Sequence, residues 1–146
     1  MEGCPSKVSE EFHCSNNKLT SLLGCPIEIG GCFCCYKNGL ENLLGCPVSV
    51  GGGLNCSYNK LTILEGGPKI VGSYFNCSNN KLTSLLGCPL NVNGGFHCIH
   101  NEGLSDVLMN MNFSEIRLYL NNKELNEKLI EGLLVVDVKN IMGKKI

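Results

Sequence analysis

The sequence predicts a repeat solenoid of five 21-residue coils, stacked with a short parallel sheet on one face and closed by an α/β C-terminal cap. Three columns of residues predict it. Gly3-Cys4-Pro5 returns as Gly24-Cys25-Pro26, Gly45-Cys46-Pro47, Gly66-Gly67-Pro68 and Gly87-Cys88-Pro89, each time 21 residues on. The same step carries Cys14 to Cys35, Cys56, Cys77 and Cys98. It also carries Asn17 to Asn38, Asn59, Asn80 and Asn101. A fixed period of this length marks a unit that stacks on copies of itself.

Within a unit, the Gly-Cys-Pro stretch is a tight-turn signal. Val8, Ile29, Val50, Val71 and Val92 then form an apolar column, followed by Phe12, Phe33, Leu54, Phe75 and Phe96. Phe12-x-Cys14 has the two-residue period of a strand with one face buried, so Phe and Cys point inward. Successive copies lie about 4.8 Å apart, and five coils stand roughly 24 Å tall. The Asn column follows each strand, where a side-chain amide can both donate to and accept from backbone groups left unpaired. Its expected role is a structural ladder: Asn17, Asn38, Asn59, Asn80 and Asn101. Two leucine columns close the coil, Leu19, Leu40, Leu61 and Leu82, then Leu22, Leu43, Leu64 and Leu85. In the fifth unit one extra residue precedes Leu104 and the register slips.

One coil cannot stand alone. About six buried apolar side chains at about 1.5 to 3 kcal/mol each fall short of ordering the unit at about 1 to 2 kcal/mol per residue. Neighbours and a terminal cap supply the rest. The solenoid is therefore expected over 1–107, with repeats starting near 3, 24, 45, 66 and 87, and the cap over 108–146. In the cap charge rises and Gly falls. Asn122 is expected to cap a helix over 123–131 with Leu125, Leu129 and Ile130 on one face. Leu133 to Val138 reads as a strand. The first unit is expected to present an uncapped edge, blunted by Lys7, Glu10 and Glu11 or docking a second copy to give a homo-oligomer.

The segments FHCSNNKL, LNCSYNKL and FNCSNNKL resemble the LxLxxNxL core of leucine-rich repeats. The resemblance covers residues 3 to about 107 and implies a leucine-rich-repeat-like solenoid. Phe12 and Cys14 take the two strand leucines, Asn17 the ladder asparagine and Leu19 the leucine after it; the other units align likewise except at Leu104. Val8 stands four residues before Phe12 where the family places a leucine three before, and 21 residues leave little space for a convex helix. The GCP and CSNNKLTSL wording is also similar to units in uncharacterised bacteriophage and large DNA virus proteins. That similarity implies a viral protein acting on a host factor in the host cytoplasm.

Twelve basic and thirteen acidic side chains leave a net charge of -1, so no global field gathers nucleic acid or anionic lipid. No apolar run reaches the roughly 20 residues of a membrane span, and MEGCPSKVSE lacks a leader pattern. The expectation is a cytoplasmic protein that binds neither nucleic acid nor membrane. Eleven cysteines are an odd number at one recurring spacing, which reads as reduced core thiols rather than a disulfide framework. Thiols lined up at strand spacing do not converge on a metal. No GxSxG, phosphate loop or other catalytic constellation is present, so no enzyme and no cofactor are expected.

Alternation leaves a polar, nearly uncharged outer strand face as the expected binding surface: Glu11, His13, Cys32, Cys34, Tyr36, Asn55, Tyr58, Tyr74, Asn76, His97 and His100. Tyr36, Tyr58 and Tyr74 are the anchor candidates, because amphipathic aromatics concentrate binding energy at interfaces. The expected function is a non-enzymatic protein-protein interaction module. The alternative is a small-molecule or metal binder using the exposed Cys and His, with Cys32, Cys34 and His13 adjacent and His97 and His100 at the far end. Exposed thiols tolerated in a reducing cytosol are the plainer reading of Cys32 and Cys34.

Overall fold

The computed structural model describes residues 3–130, with side chains described as far as residue 123. The chain winds as a β-solenoid of about four turns. Each repeat contributes two strands of two residues. The first sheet holds β1 (Lys7–Val8), β3 (Glu28–Ile29), β5 (Ser49–Val50), β7 (Ile70–Val71) and β9 (Asn91–Val92). The second holds β2 (Phe12–His13), β4 (Phe33–Cys34), β6 (Leu54–Asn55), β8 (Phe75–Asn76) and β10 (Phe96–His97). Every pairing is parallel and in repeat register, Lys7 opposite Glu28 and Phe12 opposite Phe33.

Two sheets stand where the sequence reading expects one. The Val8 column is itself a ladder, and the corner between the sheets continues its hydrogen bonding: Gly30 N–H donates to Val8 O at 2.8 Å and Gly51 N–H to Ile29 O at 2.8 Å. Glycine allows these corners to nest. A Cβ on Gly51 would lie 2.1 Å from Gly30 O, and one on Gly72 1.9 Å from Gly51 O.

The coil reverses direction at two left-handed positions. Gly24, Gly45, Gly66 and Gly87 take φ between 81° and 89° beside the Gly-Pro turns, and Cys25 N–H closes one such turn on Leu22 O at 3.0 Å. The second position follows the strand and is filled by Asn16, Lys37, Tyr58, Asn79 and His100, with φ between 52° and 56°. Asn and His tolerate this region, whereas Lys37 and Tyr58 are held there at a cost of order 1 kcal/mol or more. The asparagine that follows each of them is bonded into the stack and keeps the turn in place.

Inside, Phe33, Leu54 and Phe75 form a fully buried column beside Cys35, Cys56 and Cys77 and the leucines of the closing segment. Phe12 and Val8 at one end, and Phe96 and Val92 at the other, are half-buried. At the C-terminal end α1 (Asp106–Asn110) is capped by Ser105, whose Oγ accepts from Leu108 N–H. Helix α2 (Phe113–Ile130) then covers the last coil.

The expected helix start at Asn122 is wrong; the cap is Asn112. Asn112 Oδ1 accepts from Glu115 N–H at 3.0 Å while Glu115 Oε2 accepts from Asn112 N–H at 2.8 Å, a reciprocal capping box. Phe113 stacks on Phe96 with ring centroids 5.4 Å apart, and Ile116 and Leu120 are buried over the core. The expected apolar face of Leu125, Leu129 and Ile130 lies beyond the described side chains, and the expected strand Leu133 to Val138 lies outside the described residues.

Candidate functional site

The asparagine ladder sets the geometry of everything outside it. Asn59 Nδ2 donates to Cys56 O in its own coil and to Cys35 O in the preceding coil, both at 3.1 Å; its Oδ1 accepts from Leu40 N–H at 3.1 Å. Asn38, Asn80 and Asn101 repeat all three bonds. Asn17 stands exposed at the first coil, bonded to Cys14 O and Ser15 O at 3.0 and 3.1 Å. Each of the four rungs after the first thus ties three backbone groups across two coils.

Facing out from the second sheet is a row whose ends are exposed and whose centre is recessed. His13 Nε2 donates to Glu11 Oε2 at 2.9 Å at one end, and His97 and Ile99 are exposed at the other. Between them Asn55 Oδ1 accepts from both the N–H and the hydroxyl of Ser57, and Asn76 Oδ1 accepts from Ser78 N–H. These bonds draw Ser57 and Ser78 into the surface, where they are buried. Tyr36 is half-buried on the same face.

Tyr74 departs most from the sequence reading. Its ring lies across Gly53 in the preceding coil, so that a Cβ on Gly53 would come 2.3 Å from Tyr74 Cε1, and its hydroxyl meets the Cys34 thiol one coil further on. Cys34, expected to be exposed, is consequently 7% exposed. Burial pushes both the Cys34 thiol and the Tyr74 hydroxyl above their ordinary values, with the charges of Cys32 and Glu11 adding to the shift. Cys32 is half-buried, its Sγ accepting from Gly53 N–H at 3.3 Å.

Two further members of the expected face lie elsewhere. Tyr58 and His100 occupy the left-handed turn after the strand, where alternation no longer governs direction. Tyr58 is exposed there beneath Lys37, whose Nζ stands 5.8 Å from the ring centroid. His13 and Cys34 are register partners, but His97, which pairs with Asn76, stands four coils away from His13. Among the described residues, no three His, Cys, Asp or Glu side chains are grouped as a metal ion would require.

The interior thiols form two facing columns. Burial raises Cys35, Cys56 and Cys77 well above the ordinary thiol value. Cys14 and Cys25 meet across the columns at the first coils; the contact holds Cys14 below its ordinary value and raises Cys25. No helix among the described residues is long and apolar enough to cross a membrane.

Repeat, sheets and ladder together define the class: a parallel β-solenoid built on a 21-residue, asparagine-laddered unit. Comparison with protein-family models, with curated proteins and with solved structures gave no match.

Proposed function

We propose that this solenoid is a non-enzymatic interaction module that offers the outer face of its second sheet to a protein partner. The observation behind this reading is the recessed centre of that face. Tyr74 lies in a notch made by Gly53, Asn55 and Asn76 are locked by their own hydrogen bonds, and Tyr36 stands alongside. Rigid tyrosines and pre-bonded amides present contact area that loses little freedom on binding. The asparagine rungs hold this lattice at fixed strand spacing, which also supports reading the unit as leucine-rich-repeat-like, in five coils, with the first sheet, the Val8 column, where a longer repeat would carry a helix. A viral protein directed at a host factor fits the wording of the repeat.

The test is affinity capture from a lysate with the intact chain and with a Tyr36→Ser, His97→Ala variant, both shown to unfold at the same urea concentration. Tyr74 is left in place because it covers Cys34. A partner whose retention drops about tenfold in the variant, about 1.4 kcal/mol, supports this face as the interface. Equal retention by both chains removes it.

A further inference from the structure

Two aliphatic stripes run along the solenoid on either side of the Gly-Cys-Pro turns, away from the second sheet. Leu23, Leu44 and Leu86 make one; Ile27, Val48 and Leu90 make the other, and all six are 52 to 67% exposed. The turn explains why they face out. The residue before each of these left-handed glycines and the residue after each buried proline project from the coil, while Pro26, Pro47, Pro68 and Pro89 are buried between them. Lys69, Leu86 and Leu90 line one cavity of about 280 Å³ beside Arg117 and Leu120 of α2, which brings the two stripes onto a common face there, and the repeat carries that relation to the other coils. Contiguous apolar rows of this kind mark docking surfaces.

Both stripes are interrupted at the same level, by Glu65 in the first and Lys69 in the second, and both residues are exposed. We propose that the face docks a second copy of this chain, side by side and parallel, about a two-fold axis running along the solenoid. The charge pattern selects this arrangement. A two-fold parallel to the stack keeps each coil at its own level and exchanges the stripes, setting Leu23 against Ile27, Leu44 against Val48 and Leu86 against Leu90 of the other copy. At the interrupted level it sets Glu65 against Lys69 twice over. A two-fold across the stack would instead set each stripe against itself with the levels reversed, bringing Glu65 to Glu65 when the interrupted levels coincide. A self-complementary patch of this form is what a closed dimer requires, with the aliphatic side chains supplying affinity and the charges supplying register. This surface is independent of the one proposed above.

The experiment is sedimentation equilibrium on the full chain and three variants at the exposed positions, each checked for an unchanged urea midpoint. The intact protein is expected at twice its 15.8 kDa chain mass. Glu65→Lys or Lys69→Glu alone places like charges together twice and is expected to weaken the dimer about tenfold or more. Glu65→Lys combined with Lys69→Glu restores opposite pairs and is expected to recover it. A monomeric wild-type protein overturns the proposal. So does a dimer indifferent to both single reversals, or a double variant as weak as the singles.

Discussion

Asn59 shows how much one side chain does in a repeat. Its amide satisfies two carbonyls and an N–H belonging to two coils, all buried. Removing a partner from buried backbone groups costs about 1 to 3 kcal/mol. Asn59→Ala is therefore expected to lower stability by about that amount in urea unfolding. Asn17→Ala, at an exposed end with both its bonds inside its own coil, is expected to cost well under half as much. Equal losses would show that the rung across coils is not the source of the effect. The ladder is legible in the sequence because an amide recurring after each strand has few other uses. Burial of Cys34 is not legible, since it depends on Tyr74 reaching back over a glycine from two coils away.

At the scale of elements, two-residue strands hold only because each pairs with copies of itself in the neighbouring coils. Their apolar columns were visible in the sequence, yet the Val8 column forms a sheet of its own through corner hydrogen bonds that no periodicity announces. The helix start expected at Asn122 fails for a related reason: the start at Asn112 is fixed by the docking of Phe113 on Phe96, a contact between distant parts of the chain. Asn112→Ala is expected to cost about 1 kcal/mol through loss of the capping box. Phe113→Ala is expected to cost about 3 kcal/mol or more as its ring leaves the end of the core. Hydrogen exchange should show both losses at the amides of α2 and of the last coil, with those of the central coils changed less.

For the molecule as a whole, the facing thiol columns couple stability to alkaline pH. Burial holds Cys35, Cys56 and Cys77 well above the ordinary 9.0 and Cys98 at about 11. A thiol kept neutral in the fold but free to ionise in the unfolded chain favours folding fully below its unfolded value. That advantage disappears as pH rises through the folded value. Cys14, held low by Cys25, acts in the opposite sense but is one group against several. The urea midpoint is therefore expected to fall progressively from about pH 9 to about pH 11, and Cys98→Ala is expected to flatten the part of that fall due to Cys98. A midpoint independent of pH across this range would mean that these thiols are not held neutral by the core.

By itself the sequence determined the period, the inward columns and the amide rungs, because each is a local pattern repeated until chance is no explanation. The repeat also carries the glycines that its turns and corners demand. Only the tertiary structure decided that the remaining apolar columns, those of Leu23 and Ile27, are surface. Leu23 and Leu22 differ by one position and recur with the same step, yet Leu22 is fully buried and Leu23 lies 66% exposed. The physical reason is that a column in sequence records only that residues stack, whereas the direction of the stack is set by left-handed turns and by what each coil meets when it closes.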